Sequence, residues 1–140
     1  MATPSAPPTE TILVVDDEVQ VLELVAELLR MQGYAVLSTW DPDDALRMAR
    51  AHAGSIHLLL SDLVMPAMTG QELATEIHSI HPDMKVLFMS AYSVETAEHY
   101  NVRLAPGEPF LCKPFSIAGL QRTVRDALDY EAPSSPHPIQ

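Results

Sequence analysis

Four short apolar stretches of this chain each end in residues that can do chemistry. "TILVV" is followed by Asp16, Asp17 and Glu18, "HLLLS" by Asp62, "KVLFM" by Ser90, and "PFLC" by Lys113 with Pro114 after it. If these stretches run side by side, the side chains at their ends meet in one small pocket. Carboxylates about 5 Å apart repel by roughly 3 kcal/mol per pair at an effective dielectric of about 20. Three such acids must therefore take up a proton or a cation. Oxygen-only donors suit a hard divalent ion, and Mg²⁺ keeps several waters beside one or two carboxylates and a phosphate. Lys113 supplies a fixed positive charge for a phosphate oxygen, and Ser90 supplies a hydroxyl. The set holds no histidine base and no cradle of glycines. It suits transfer of a phosphoryl group onto a carboxylate, where positioning and charge stabilisation do most of the work.

The elements that must position these residues are legible as alternating strands and helices. Thr11 to Val15 is short and β-branched, as a buried strand should be. Val19 to Gln32 has helical spacing at Val21, Val25 and Leu28, with Gly33 as its stop. "AVLST" is the second strand. Asp41-Pro42 then gives an N-cap and a proline at the first helical position, with Asp43 and Asp44 at the positive helix end and a helix to about His52. "HLLLS" is the third strand and Gln71 to Ile80 the third helix. "KVLFMS" is the fourth strand, a weaker helix covers about Val94 to Asn101, and "PFLCK" is the fifth strand. The last helix starts near Ser116, with Ile117, Leu120, Val124 and Leu128 on one face. Five βα units in series predict one doubly wound α/β domain around a parallel sheet. In such sheets ligands bind beyond the carboxyl ends of the strands, at the topological switch point, which is where the reactive residues fall.

Composition sets the bounds. A chain of 140 residues with 47% hydrophobic content can bury a proper core. Both ends are rich in Pro, Ser and Thr: residues 1–10 read as a disordered segment or linker and 131–140 as a disordered tail, flanking a domain at 11–130. The net charge of −11 argues against direct binding to nucleic acid or to anionic lipid. No apolar run reaches membrane-spanning length, and the N-terminus has no basic start or apolar core of a signal peptide. Cys112 is the single cysteine, which rules out an internal disulfide and fits a cytoplasmic setting.

In this order, "VVDDE", "SDLVMPAMTGQEL", "MSAY" and "FLCKPF" resemble the receiver domain of bacterial two-component response regulators, over about Thr11 to Tyr130. The resemblance implies a flavodoxin-like (βα)5 fold with strand order 2-1-3-4-5. It implies Asp62 as the phosphoacceptor, taking its phosphoryl group from a histidine kinase or a histidine phosphotransfer domain. It implies Mg²⁺ bound by Asp17, Asp62 and the backbone carbonyl of Val64, with Asp16 helping through water. Lys113 and Ser90 would contact the phosphoryl group, and Ser90 and Phe110 would act as the switch. The Lys113–Pro114 peptide bond would be cis, and Gly70 would provide the turn into the third helix. Val64 and Tyr92 would flank the phosphoryl group and tune its lifetime. Such a domain catalyses only its own phosphorylation and dephosphorylation.

Two features depart from the commonest pattern of that family. Pro106 and Pro109 precede the fifth strand, so the fourth helix should end early, and Phe110 stands where a tyrosine is common. The "PGEPFLCKPF" stretch is similar to receivers attached to hybrid sensor histidine kinases, whose parent chain would be a histidine kinase. The tail after the last helix is too short for a DNA-binding output domain, so the chain reads as a stand-alone receiver or a piece of a hybrid kinase. An alternative is a Mg²⁺-dependent phosphohydrolase of haloacid-dehalogenase type, which needs its nucleophile in an Asp-x-Asp pattern on the first strand. A flavodoxin-like cofactor binder needs a Ser/Thr/Gly-rich phosphate loop where this chain has "DDEVQ".

Taken singly, most of these residues have plainer readings. Asp16 or Asp62 alone is a helix cap, Lys113 a solvated charge, Ser90 a turn residue and Phe110 core. Only their combination points to a site. Met65 and Met68 read as packing, and Cys112 as a buried small hydrophobe. His78 and His81, three apart at a helix end, lack an evident third metal ligand.

Overall fold

The computed structural model describes residues 10–91 and 109–130. The expected helix at Val94 to Asn101, Pro106 and Tyr92 lie outside the described residues. Five strands, β1 (Thr11–Val15), β2 (Ala35–Thr39), β3 (Leu58–Asp62), β4 (Lys85–Ser90) and β5 (Phe110–Cys112), form one parallel sheet in the order β2-β1-β3-β4-β5. Four helices are described: α1 (Val19–Met31), α2 (Pro42–Ala51), α3 (Gly70–His78) and α4 (Ile117–Asp129).

Strand alternation divides the core between the two sheet faces. Ile12 and Val14 of β1, with Leu58 and Leu60 of β3, meet Leu22, Val25 and Leu29 of α1 and Leu120 and Val124 of α4. Leu13, Val15 and Leu59 point the other way, onto Ala45, Leu46 and Ala49 of α2 and Leu73 and Ile77 of α3. A strand covered on both faces has no solvent side, which is why β1 and β3 read as unbroken apolar runs. Every residue of both is buried.

The helix boundaries have local causes. After α1, Gly33 takes φ 104°, the left-handed turn at which glycine is favoured. Asp41 caps α2 by accepting from the Asp43 N–H at 3.1 Å. Thr69 and Glu72 form a reciprocal capping box at α3. Ser116 caps α4 through the Gly119 N–H.

Three sequence expectations need correction. Cys112 is exposed rather than buried, because it ends a three-residue edge strand and projects to the face opposite the buried Leu111. Ile117 does not join the buried face of α4. It is 56% exposed in the first turn, while Leu120, Val124 and Ala127 carry the packing. Gly70 has no positive φ and is already the first residue of α3. What excludes a side chain there is space, since a Cβ would lie 2.5 Å from the Asp62 carbonyl oxygen.

Candidate phosphorylation site

The order β2-β1-β3 places the switch point between β1 and β3, so the loops after these strands diverge and leave a crevice at their carboxyl ends. Asp62 ends β3 and aims its carboxylate into that crevice. Its main chain is firmly held. The Leu63 N–H donates to Met89 O at 2.9 Å, and the Gly70 N–H donates to Leu63 O at 2.8 Å. Val64 bridges to Thr69 across the Met-Pro turn, and Met65 sinks into the core beside Leu63 and Leu73. The residues after Asp62 thus fold back as an anchored loop and keep the acid at the crevice floor.

Asp16 and Asp17 arrive from the end of β1. Asp16 is fully buried and accepts the Glu18 N–H at 2.8 Å, whereas Asp17 is exposed. One carboxylate oxygen from each of Asp16, Asp17 and Asp62 lies within 4.8 Å of the others, and no other such trio of Asp, Glu, His or Cys occurs among the described residues. Lys113 enters from the end of β5. Its ammonium stands 2.8 Å from Glu18 Oε1, 2.9 Å from Asp16 Oδ2 and 3.6 Å from Asp62 Oδ1. The Lys113 N–H donates to Ser90 O at 2.8 Å, which ties the ends of β4 and β5 together. The Lys113–Pro114 bond is cis. Asp17, Glu18, Asp62, Val64, Ser90, Ala91 and Lys113 line a cavity of about 260 Å³. Phe110 is half-buried against the core on the α2–α3 side of the sheet.

The electrostatics follow from this crowding. Burial raises the pKa of Asp62 to about 7, the Asp16 charge and Asp17 add to the rise, and Lys113 opposes it. Asp16 is raised as well, chiefly by burial, against the Glu18 N–H and Lys113. For Lys113, burial acts to lower the pKa, but the bonds to Glu18 and Asp16 outweigh it and hold the ammonium charged. The pocket therefore carries more negative charge than one lysine balances. An all-oxygen trio under such strain fits a hard divalent cation.

His78 and His81 do not converge. His78 Nε2 bonds Met84 O and His81 Nε2 bonds Ala49 O, each at 2.8 Å. The larger cavity that His81 lines, of about 610 Å³, opens at the opposite end of the sheet, beside Lys85 and Ile56, and has no part in the carboxylate pocket.

The model of the response regulator receiver domain matches residues 12–125. The chain belongs to this family. The receiver domain is 35% identical over 119 residues to the sensor kinase CckA of Brucella abortus (strain 2308), a match covering 85% of this chain and 12% of that protein. Among solved structures, the receiver domain of the hybrid histidine kinase CckA is 36% identical with a TM-score of 0.69, covering 84% of this chain and 98% of the other. The response regulator TrrA of Thermotoga maritima, solved in complex with Mg²⁺ and BeF, is 30% identical with a TM-score of 0.66, covering 85% and 99%. The chain spans about half or less of the length of the curated relatives it matches. A receiver domain acts in two-component signalling with histidine kinases or phosphotransfer proteins, and nothing in these matches supports a haloacid-dehalogenase-type hydrolase. Among the described residues no helix is long and apolar enough to cross a membrane.

One residue of the pocket carried no separate signal in the sequence. Glu18 read as one more acid at a strand end, yet it makes the shortest contact to the Lys113 ammonium, across 95 positions of chain.

Proposed function

We propose that this receiver domain accepts a phosphoryl group on Asp62 from a phosphohistidine of a histidine kinase or phosphotransfer domain. The observation that carries the reading is the Asp62 carboxylate at the end of β3, nearly buried yet facing a cavity it shares with Asp17, Ser90 and Lys113. In the transfer an Asp62 oxygen bonds phosphorus as the P–N bond breaks. The electron pair returns to the ring nitrogen, which takes up a proton. Asp17, Asp62, the Val64 carbonyl and, through water, Asp16 would hold Mg²⁺. When bound, the ion offsets negative charge on the phosphoryl oxygens. Lys113 holds a phosphoryl oxygen from the β5 side, and Ser90 donates its hydroxyl from β4.

The added charge, about −1.5 to −2 near neutral pH for ordinary phosphoresidues, draws Lys113 and Ser90 inward. Phe110 follows along β5 towards a more buried position. The change is a shift between existing conformations, read by a partner on the face built by β5 and α4. A protein donor is supported by the groove beside the pocket, about 380 Å³, lined by Val21, Leu24, Ala91, Pro114 and Phe115. Leu24 on its rim is 57% exposed. Likeness to CckA supports a hybrid kinase as the parent chain.

The test is incubation with acetyl phosphate and Mg²⁺, followed by intact mass. Wild type should gain one phosphoryl group, and Asp62→Asn none while keeping its fold. A labelled Asp62→Asn, or steady release of phosphate without an adduct, would overturn the assignment.

A further inference from the structure

Glu18 has no part in the transfer just described, yet it is placed to control it. It occupies the N-cap of α1, where a side chain ordinarily accepts from the first helical N–H groups, but it makes no such bond. Its carboxylate instead reaches over the pocket mouth and accepts from Lys113 Nζ at 2.8 Å. Lys113 is thereby held between Glu18 and Asp16, and Asp62 is the most distant of its three acids at 3.6 Å. The Glu18 side chain is 61% exposed while Lys113 is only 11% exposed, so the Glu18 end of the pair is open to solvent and to a partner. Glu18 also lines both the carboxylate pocket and the apolar groove next to it.

We infer that Glu18 is a positioning residue that restrains phosphorylation, by keeping the Lys113 ammonium away from Asp62 and by placing a negative charge at the pocket mouth. A small anionic donor arriving from solvent meets that charge and a lysine already engaged. A donor seated in the groove approaches beside Glu18 and can take over its carboxylate, which releases Lys113 to the phosphoryl group. The inference rests on Asp62 being the phosphoacceptor.

The experiment compares wild type with Glu18→Gln by initial rate of labelling with acetyl phosphate and Mg²⁺. The variant should label about three- to tenfold faster at low ionic strength, the scale of one partly screened charge. The gain should shrink between about 0.01 and 0.5 M salt. A second readout needs no metal and no phosphodonor: a double-mutant cycle of Glu18→Gln and Lys113→Met, followed by urea unfolding, should show coupling between the two sites. Glu18→Gln labelled no faster than wild type at low salt, or a cycle without coupling, overturns the role of Glu18 and leaves the phosphoacceptor untouched. A wild type that takes no label overturns the Asp62 reading, and this one with it.

Discussion

Replacing Gly70 by alanine tests how closely the start of α3 is built against Asp62. At an ordinary helical glycine this change stabilises, by roughly 0.5–1 kcal/mol. Here the new Cβ would sit 2.5 Å from the Asp62 carbonyl oxygen, 3.0 Å from Ser61 Oγ and 3.2 Å from Phe88 Cδ1. Ordinary contact begins at 3.4 Å, so the carbonyl and the helix must part by 3.4 − 2.5 = 0.9 Å. The carbonyl is not free to retreat, since it accepts the Ser61 hydroxyl at 2.9 Å and precedes the Leu63 N–H that bonds Met89 O. Overpacking of this kind costs about 1–3 kcal/mol, and stretching the Gly70–Leu63 hydrogen bond adds up to about 1 kcal/mol. The helical gain offsets part of this, which leaves a net loss of about 1–3 kcal/mol. For a domain of this size that lowers Tm by roughly 4–12 °C. Urea unfolding gives the stability, and intact mass after acetyl phosphate gives the labelling rate, which should fall because the Asp62 backbone has moved. An alanine variant as stable as wild type, or more stable, with unchanged labelling would refute the reasoning.

Other outcomes follow from the charges. The pKa of Asp62 rises on folding from 3.8 to about 7, so the folded state binds a proton more tightly than the unfolded chain. Metal-free protein should lose stability as pH rises through that window, and Asp62→Asn, followed by thermal unfolding, should remove much of that slope. Glu10 shifts the other way, held below its ordinary value mainly by its hydrogen bond to Arg125. Its contribution is full at neutral pH and lost as pH falls through its folded pKa, so the Tm gap between wild type and Glu10→Gln, small at pH 7, should close in acid. Val64 lines the pocket without a polar side chain to orient water; Val64→Asn should therefore shorten the lifetime of the phosphorylated protein, measured by loss of adduct with time.

The strand ends were legible because burial on both faces leaves an uninterrupted apolar run, and the run stops where chemistry begins. Thr11–Val15 shows this most clearly, buried at every position and followed at once by Asp16; the edge strand Ala35–Thr39 is less buried and carried its boundaries in composition instead. Gly70 gave the right residue and the wrong reason: a glycine after Met-Pro suggests a turn, and only the approach of α3 to β3 shows that the constraint is contact. The capping box at Thr69 and Glu72 was present as a Thr-x-x-Glu pattern, and with Thr69 as N-cap α3 starts at Gly70, one residue before the expected Gln71. Cys112 was misread because apolar neighbours cannot report on a three-residue edge strand, where one face is open. Strand ends brought Glu18 and Lys113 to the same pocket, but not to each other, since local spacing does not say which acid a lysine 95 positions away will choose.

Arg125 joins Glu10, just before β1, to Asp129 at the end of α4, and Lys85 donates to the Tyr130 carbonyl beside them. The chain thus enters and leaves the described fold at neighbouring points, at the end of the sheet remote from Asp62. The consequence is portability. A unit whose entrance and exit adjoin can be spliced into a longer polypeptide as a closed excursion, without reshaping the pocket at its far end.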